Sequence, residues 1–326
     1  MSGRKAALLF GRLPPRAGFD EQDVLVEAAT VGRALRELDW QVQRVPLGLD
    51  LRSAARRLSR LAPDFVFNVV ESVEGRDRLV HLAPALLDSL GLPYTGSPTE
   101  AIFLTSSKLL AKQRMRAAGV PTPAWAPIRP GAIPEPDFPP PYIVKSVWEH
   151  ASIGLTGTSV APDRPALEQE LRRRVSRELF VEAYVEGREF NLALLEEAGR
   201  QPQVLPPAEI QFQSFPEGKP RIVDYAAKWE SGSMEFAQTP RRFDFPDPDR
   251  GLLETLKDLA LRCWELFALR GYARVDFRVD AAGQPWVLEV NTNPCLSPDA
   301  GFLAAAARAG LSPTEVVRRI VEGARS

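Results

Sequence analysis

The sequence predicts a mixed protein, an α/β domain with a parallel sheet followed by α+β domains. Three observations predict it. Strands and helices alternate over residues 1–96. The stretch Asp64-Phe65-Val66-Phe67-Asn68-Val69-Val70 is almost continuously apolar, as a strand covered on both faces of a parallel sheet is. Beyond residue 178, short strands crowd together before a long helix and a hairpin.

The elements follow in order. Residues 5–10, KAALLF, read as a first buried strand; the apolar run is shorter than the roughly 7–15 residues of a signal h-region. Residues 21–38 place Val24, Ala28, Val31, Leu35 and Leu38 on one helical face. A strand is expected at 41–46, a helix at 51–61, the strand at 64–70, and a helix at 79–90 that ends at Gly91. Residues 92–95 should add a short strand. A helix over 106–118 stops at Gly119. Nine prolines between 121 and 141 make that stretch extended. Then come a strand at 142–145, a loop holding Gly154 and Gly157, a strand at 158–160 and a helix over 164–176. Strands are expected at 178–184, 189–195, 208–213 and 221–225, and a helix at 249–269. A hairpin, an alanine-rich helix after Pro298 and a closing helix at 313–323 complete the chain. The expected domains are 1–96, a small central one at 97–184 and a C-terminal one at 185–326.

Composition narrows the function. Lys and Arg number 41 against 42 Asp and Glu, a formal net charge of −1. Nucleic-acid and anionic-membrane binders show a basic excess, so neither partner is expected. No run approaches the ~20 apolar residues of a membrane span. Cys263 and Cys295 are too few for a disulfide framework and form no CxxC, which fits a reducing cytoplasm.

The hairpin VDFRVDAAGQPWVLEVNTNP, residues 275–294, carries the chemistry. Val275, Phe277, Val279, Trp286, Leu288 and Val290 should share one face; Arg274, Asp276, Arg278, Glu289 and Asn291 the other. If Asp280 pairs with Pro285, Asp276 lies opposite Glu289 and Arg274 opposite Asn291. Like charges directly opposite are destabilising. A hard divalent cation would relieve them, and two carboxylates with an amide oxygen suit Mg²⁺. A solvated polar face, neutralised by Arg274 and Arg278, is the alternative from these residues alone.

Lys108 opens a helix, and Lys145 ends the apolar strand PYIVKS, where a charge needs a reason. The loop that follows, VWEHASIGLTGTSV, can fold over an anion and offer N–H groups. Neither a GxxxxGK[ST] nor a GxGxxG pattern occurs.

With these pieces in order, the chain resembles the ATP-grasp superfamily and, within it, the D-alanine–D-alanine ligase family. The matching stretches are GLPYTGSPTEAIFLTSSKLLAKQRMRAAGVPTPAW, YIVKS with ASIG, LFVEAYVEGREFN, DYAAKW, ARVDFRVD and WVLEVNTNP, over most of residues 91–310. The resemblance implies an ATP-grasp fold with an N-terminal parallel-sheet domain. It implies ATP and, most often, two Mg²⁺ as cofactors, and amino acids as small-molecule substrates. Lys108, Lys145 and the lid residue Ser152 would meet nucleotide phosphates, and Lys228 the terminal one. Glu182 and the backbone of Ala183, Tyr184 and Val185 would meet adenine, and Glu189 would bind the ribose or orient the loop. Asp276, Glu289 and Asn291 would hold metal. Arg274 would face the charge developing at the reacting carbonyl. A homodimer through the N-terminal domain would match it too.

The amino-acid pocket departs from that pattern. The family's paired lid serines are Ala151-Ser152 here, and the tyrosine that meets the lid is Trp229. The glutamate for the first substrate's ammonium aligns with Asp23, and the histidine after the third strand is Glu71. The segment beyond the metal site becomes CLSPDAGF, where Ser297-Pro298 reads as an N-cap with proline at the first helical position. Asp299 there is either a dipole-stabilising acid or a sign that the acceptor carries a cation. His81 reads as a packing or surface residue, His150 on the lid as a candidate phosphate contact and Cys295 as a small packing residue. The expected activity is an ATP-dependent, ADP-forming carboxylate–amine ligase joining amino acids. A true D-alanine–D-alanine ligase, a carboxylate kinase without acceptor and a non-catalytic ATP-binding protein remain alternatives.

Overall fold

The computed structural model describes residues 3–13, 18–129, 133–174, 178–197 and 201–324. The first sheet is parallel, order β2-β1-β3, from β1 (Lys5–Gly11), β2 (Gln41–Leu47) and β3 (Phe65–Asn68). Helices α1 (Phe19–Glu37), α2 (Leu51–Leu61) and α3 (Leu82–Leu90) connect and cover it. Burial of β3 on both faces is why it reads as unbroken apolar sequence. The segment 92–95 is not a full strand: it adds a single bridge, Tyr94 to Val66. The expected helix 79–90 begins only at Leu82, after a 3₁₀ turn at Asp77–Leu79.

Helices α4 (Thr99–Ser106) and α5 (Lys108–Ala117) follow, divided at Ser107. Ser107 is extended and its hydroxyl accepts the Leu110 N–H at 3.4 Å, so it ends one helix and caps the next. The second sheet, order β4-β7-β5-β6, is antiparallel: β4 (Trp125–Pro127), β5 (Tyr142–Ser146), β6 (Val160–Ala161) and β7 (Leu179–Ala183), with α6 (Arg164–Arg173) packed on it. The expected helix 164–176 partly falls outside the described residues.

The third sheet has a path β11-β10-β8-β12-β13, with β9 beside β8. Its strands are β8 (Arg188–Leu195), β9 (Gln203–Val204), β10 (Ala208–Ile210), β11 (Arg241–Arg242), β12 (Tyr272–Val279) and β13 (Pro285–Asn291). No strand forms at 221–225; instead Asp224 caps a short helix, α7 (Tyr225–Trp229), accepting the Ala227 N–H at 3.0 Å. Helices α8 (Met234–Ala237), α9 (Arg250–Leu266), α10 (Gly301–Arg308) and α11 (Pro313–Glu322) complete the fold. The N-cap expected at Ser297 is absent: 297–300 is a turn, and α10 begins at Gly301.

One core joins the two ends of the chain. Ala6, Leu8, Val31 and Phe67 of the first layer pack with Leu195, Phe302, Val316 and Ile320. This packing sets the first sheet against one end of the third, and the cleft opens beside it.

Candidate active site

The nucleotide end is built on α5, β5 and β7. Lys108 and Lys112 lie one turn apart on α5 and so share a face. Lys112 is fully buried, and its ammonium sits 2.5 Å from Glu182 Oε2 and 2.7 Å from Thr122 Oγ1. Lys145, on the neighbouring strand, is 2.5 Å from Glu182 Oε1. Burial alone would push the Glu182 carboxyl up, but the two ammoniums outweigh it and hold it below the usual range. Burial lowers Lys112 to about 8. Sequence reasoning missed Lys112; its i, i+4 spacing from Lys108 was the available signal. Lys108 Nζ donates to the Glu149 carbonyl at 2.6 Å and stands 3.8 Å from Glu289. The Ala183 and Tyr184 N–H groups are committed to Ala124 and Pro141 carbonyls at 2.9 Å each.

The hairpin pairs Asp276 with Glu289 and Arg274 with Asn291, as the sequence predicts. The expected Asp280–Pro285 pair does not form; Val279 pairs with Pro285 instead. A β-bulge between these regions absorbs one residue, so Leu288 and Glu289 both line the cleft while Val287 enters the core. Trp286 and Leu288 therefore leave the apolar face assigned to them; the Trp286 indole donates to Asp280 at 3.0 Å. Arg274 chelates Asp276 at 2.7 and 2.8 Å, and Asn191 donates to the same carboxylate at 2.8 Å. Arg278 grips Glu189 at 2.7 Å. Burial opposes ionisation of Glu289, yet the charges of Lys108, Arg274 and Lys145 bring it down to about 2. Asn291 Oδ1 accepts the Asn293 N–H at 3.1 Å.

The lid turns through consecutive left-handed residues, Ala151 at φ 57° and Ser152 at φ 61°. It is tied down on the far side. Ser152 Oγ donates to the Val223 carbonyl at 2.7 Å, and the Trp229 indole donates to the Ala151 carbonyl at 2.9 Å. Trp229 thus meets the lid at the position expected from the resemblance, through its ring N–H. Lys228 beside it is lowered by burial and by Arg274. His150 lines the cleft near Lys108 and Glu289, and burial with the Lys108 charge lowers it to about 3, so the ring is neutral.

Asp23 accepts from the Ser297 hydroxyl at 2.8 Å and the Cys295 thiol at 3.0 Å. Cys295 therefore orients an acid as well as packing. Glu27, a second residue that sequence reasoning missed, is buried behind Asp23 one turn along α1, and Glu71 lines the same chamber as Asp23. Two chambers of about 530 and 410 Å³ share His150, Lys228, Arg241 and Arg274 at their junction. Lys108, Lys145, Asp276, Glu289 and Asn291 line the first, Asp23 and Glu71 the second.

The donor set of Asp276, Glu289 and Asn291 is all hard oxygen, with Glu289 already ionised, and so fits Mg²⁺. Residues 115–322 match the family model described as D-ala D-ala ligase C-terminus. The chain is 33% identical over 312 residues to the D-alanine–D-alanine ligase of Moorella thermoacetica, spanning 91% of this chain and 93% of that protein.

The chain belongs to the D-alanine–D-alanine ligase family.

Another relative is uncharacterized protein y4sG of Sinorhizobium fredii, 33% identical over 260 residues, 79% of this chain and 73% of that one. The fold matches that of D-alanine–D-alanine ligase from Bacillus anthracis complexed with ATP at a TM-score of 0.76 and 20% identity, covering 98% and 97% of the two chains. As a member of the D-alanine–D-alanine ligase family, the chain is an ATP-grasp, ADP-forming ligase. Among the described residues, no helix is long and apolar enough to cross a membrane.

Proposed function

We propose that this ligase joins two amino acids. One substrate's carboxylate takes the γ-phosphoryl group of ATP to give an acyl phosphate and ADP; the other's amine then displaces phosphate and forms the amide. The observation that carries this reading is the cleft itself. A chamber lined by Lys108, Lys145, Asp276 and Glu289 meets a chamber lined by Asp23 and Glu71 at Lys228 and Arg274.

Bound Mg²⁺ would neutralise phosphate oxygens, held by Asp276, Glu289 and Asn291. The chain's own residues do the rest by position. Lys108, Lys145 and Lys228 meet the phosphates, and Ser152 the lid side. Glu182 keeps Lys145 in place. Adenine meets the backbone near Glu182 and Val185, with Leu288, Ile143 and Ile222 as apolar walls. Glu189, fixed by Arg278, faces the ribose. Arg274 stabilises negative charge at the junction. Asp23 receives an ammonium group. The lid, pinned by Trp229 and Val223, keeps water from the acyl phosphate.

The relatives' names favour a second reading, in which both substrates are D-alanine. ADP release should be measured with Mg²⁺-ATP across D- and L-amino acids, singly and in pairs, with Asp276→Ala as control. Turnover with a pair other than D-alanine, lost in the control, is the expected result. Turnover with paired D-alanine alone would make the second reading correct. ATP binding without turnover on any pair would sink the ligase reading.

A further inference from the structure

One wall of the second chamber gathers more carboxylates than one α-ammonium needs. Asp23, Glu71 and Cys295 line that wall, and Glu27 is buried directly behind them. Ligating atoms of Glu27, Glu71 and Cys295 lie within 4.8 Å of one another. Asp23 is well satisfied by Ser297 and Cys295. Glu27 is only 1% exposed; its Oε1 accepts the Leu296 N–H at 2.9 Å, while Oε2 has no hydrogen-bond partner among the described residues. Glu71 and Glu27 make no ion pair among the described residues, and Arg274 is already chelated by Asp276. Burial raises both carboxyls; Glu71 adds to this at Glu27, and Asp23 and Asp77 add to it at Glu71, which stands at about 7 although Lys228 and Arg274 pull it down. A buried and a half-buried carboxylate this close need a cation between them to be ionised together.

We propose that the ligase selects a substrate with a second cationic nitrogen, a side-chain amine or guanidinium, and seats it between Glu27 and Glu71. This rests on the ligase reading above. Asp23 is left for the α-ammonium, and the Arg241 and Arg274 side of the chamber for a carboxylate. The charges then balance: three carboxylates meet two substrate cations and Lys228, which acts on Glu71. A metal ion fits less well. Its ligand would be a thiolate, whereas Cys295 keeps its proton and donates it to Asp23.

The test compares ornithine and lysine with norvaline and norleucine, their neutral counterparts, in D and L forms. Affinity is measured by calorimetry with a non-hydrolysable ATP analogue and Mg²⁺, and ADP release in parallel. The diamino acids should bind about 100-fold tighter or more. In Glu71→Gln the preference should collapse while neutral counterparts bind at least as well, a pattern that a misfolded variant would not give. Glu27→Gln should reduce the preference in the same direction. Neutral counterparts or alanine binding as tightly as the diamino acids in the unaltered protein would overturn the inference. So would one equivalent of Zn²⁺ bound there and lost in Cys295→Ser. Selective diamino-acid binding with no ADP release would keep the inference and sink the ligase reading. ADP release confined to alanine pairs would do the reverse.

Discussion

Glu71 shows how a single residue's surroundings set its proton. Burial raises its carboxyl from an ordinary 4.5 to about 7, Asp23 and Asp77 push the same way, and Lys228 and Arg274 pull back. Because the folded value exceeds the unfolded one, the folded state keeps the proton longer. Stability should therefore fall as pH rises from about 4.5 through about 7, with the full cost present above that window. Glu71→Gln removes the titration. Its melting temperature should gain on the unaltered protein between pH 5 and pH 8, and an equal difference at both values would refute this. Glu182 is the opposite case, an acid held ionised by two lysines. The sequence marks Glu182 and Lys145 through their motif stretches. It does not mark Lys112, because a lysine at i+4 on a helix is ordinary until the strand opposite it supplies a carboxylate.

At the scale of elements, short segments between strands aim the site. Gly187 joins β7 to β8 with φ 148°, a conformation open to glycine, and a Cβ there would meet the Val279 carbonyl oxygen at 1.9 Å. Gly187→Ala should cost roughly 3 kcal/mol in urea unfolding and weaken ATP binding by displacing Glu189. A loss below about 0.5 kcal/mol, the range of an ordinary surface change, would show that the loop can yield. The hairpin was legible as two strands with acids facing each other, because alternation reports faces. Its bulge was not legible, because register depends on which carbonyls find which amides across the pair. The segment 221–225 was misread for a related reason: Ile222 and Val223 suit a strand, but no neighbouring edge pairs them, and Asp224 caps a helix turn instead.

At the scale of the molecule, the core shared by the first sheet and the last helices fixes the cleft. Phe302 is fully buried and packs edge-on against Tyr272 at 5.6 Å. Gly271 lies so close to Gly96 that a Cβ would stand 3.1 Å from its backbone. Phe302→Ala should lower stability by about 3–5 kcal/mol. Amides of β1 and β8 should lose exchange protection together; loss confined to β8 would mean that the two layers fold separately.

Local sequence carried most of the order of strands and helices, the parallel first sheet and the motif stretches that identify the family. These are local patterns, written in apolar period and turn chemistry. It also marked Asp276, Glu289 and Asn291, because neighbours across a tight hairpin are near in sequence. Only the tertiary structure decided the rest. It placed Lys112 against Glu182, and Glu27 beside Glu71 and Cys295, 44 and 268 residues away by subtraction of their numbers. Those contacts depend on how separate layers pack, and burial of charge has meaning only once the packing removes the water.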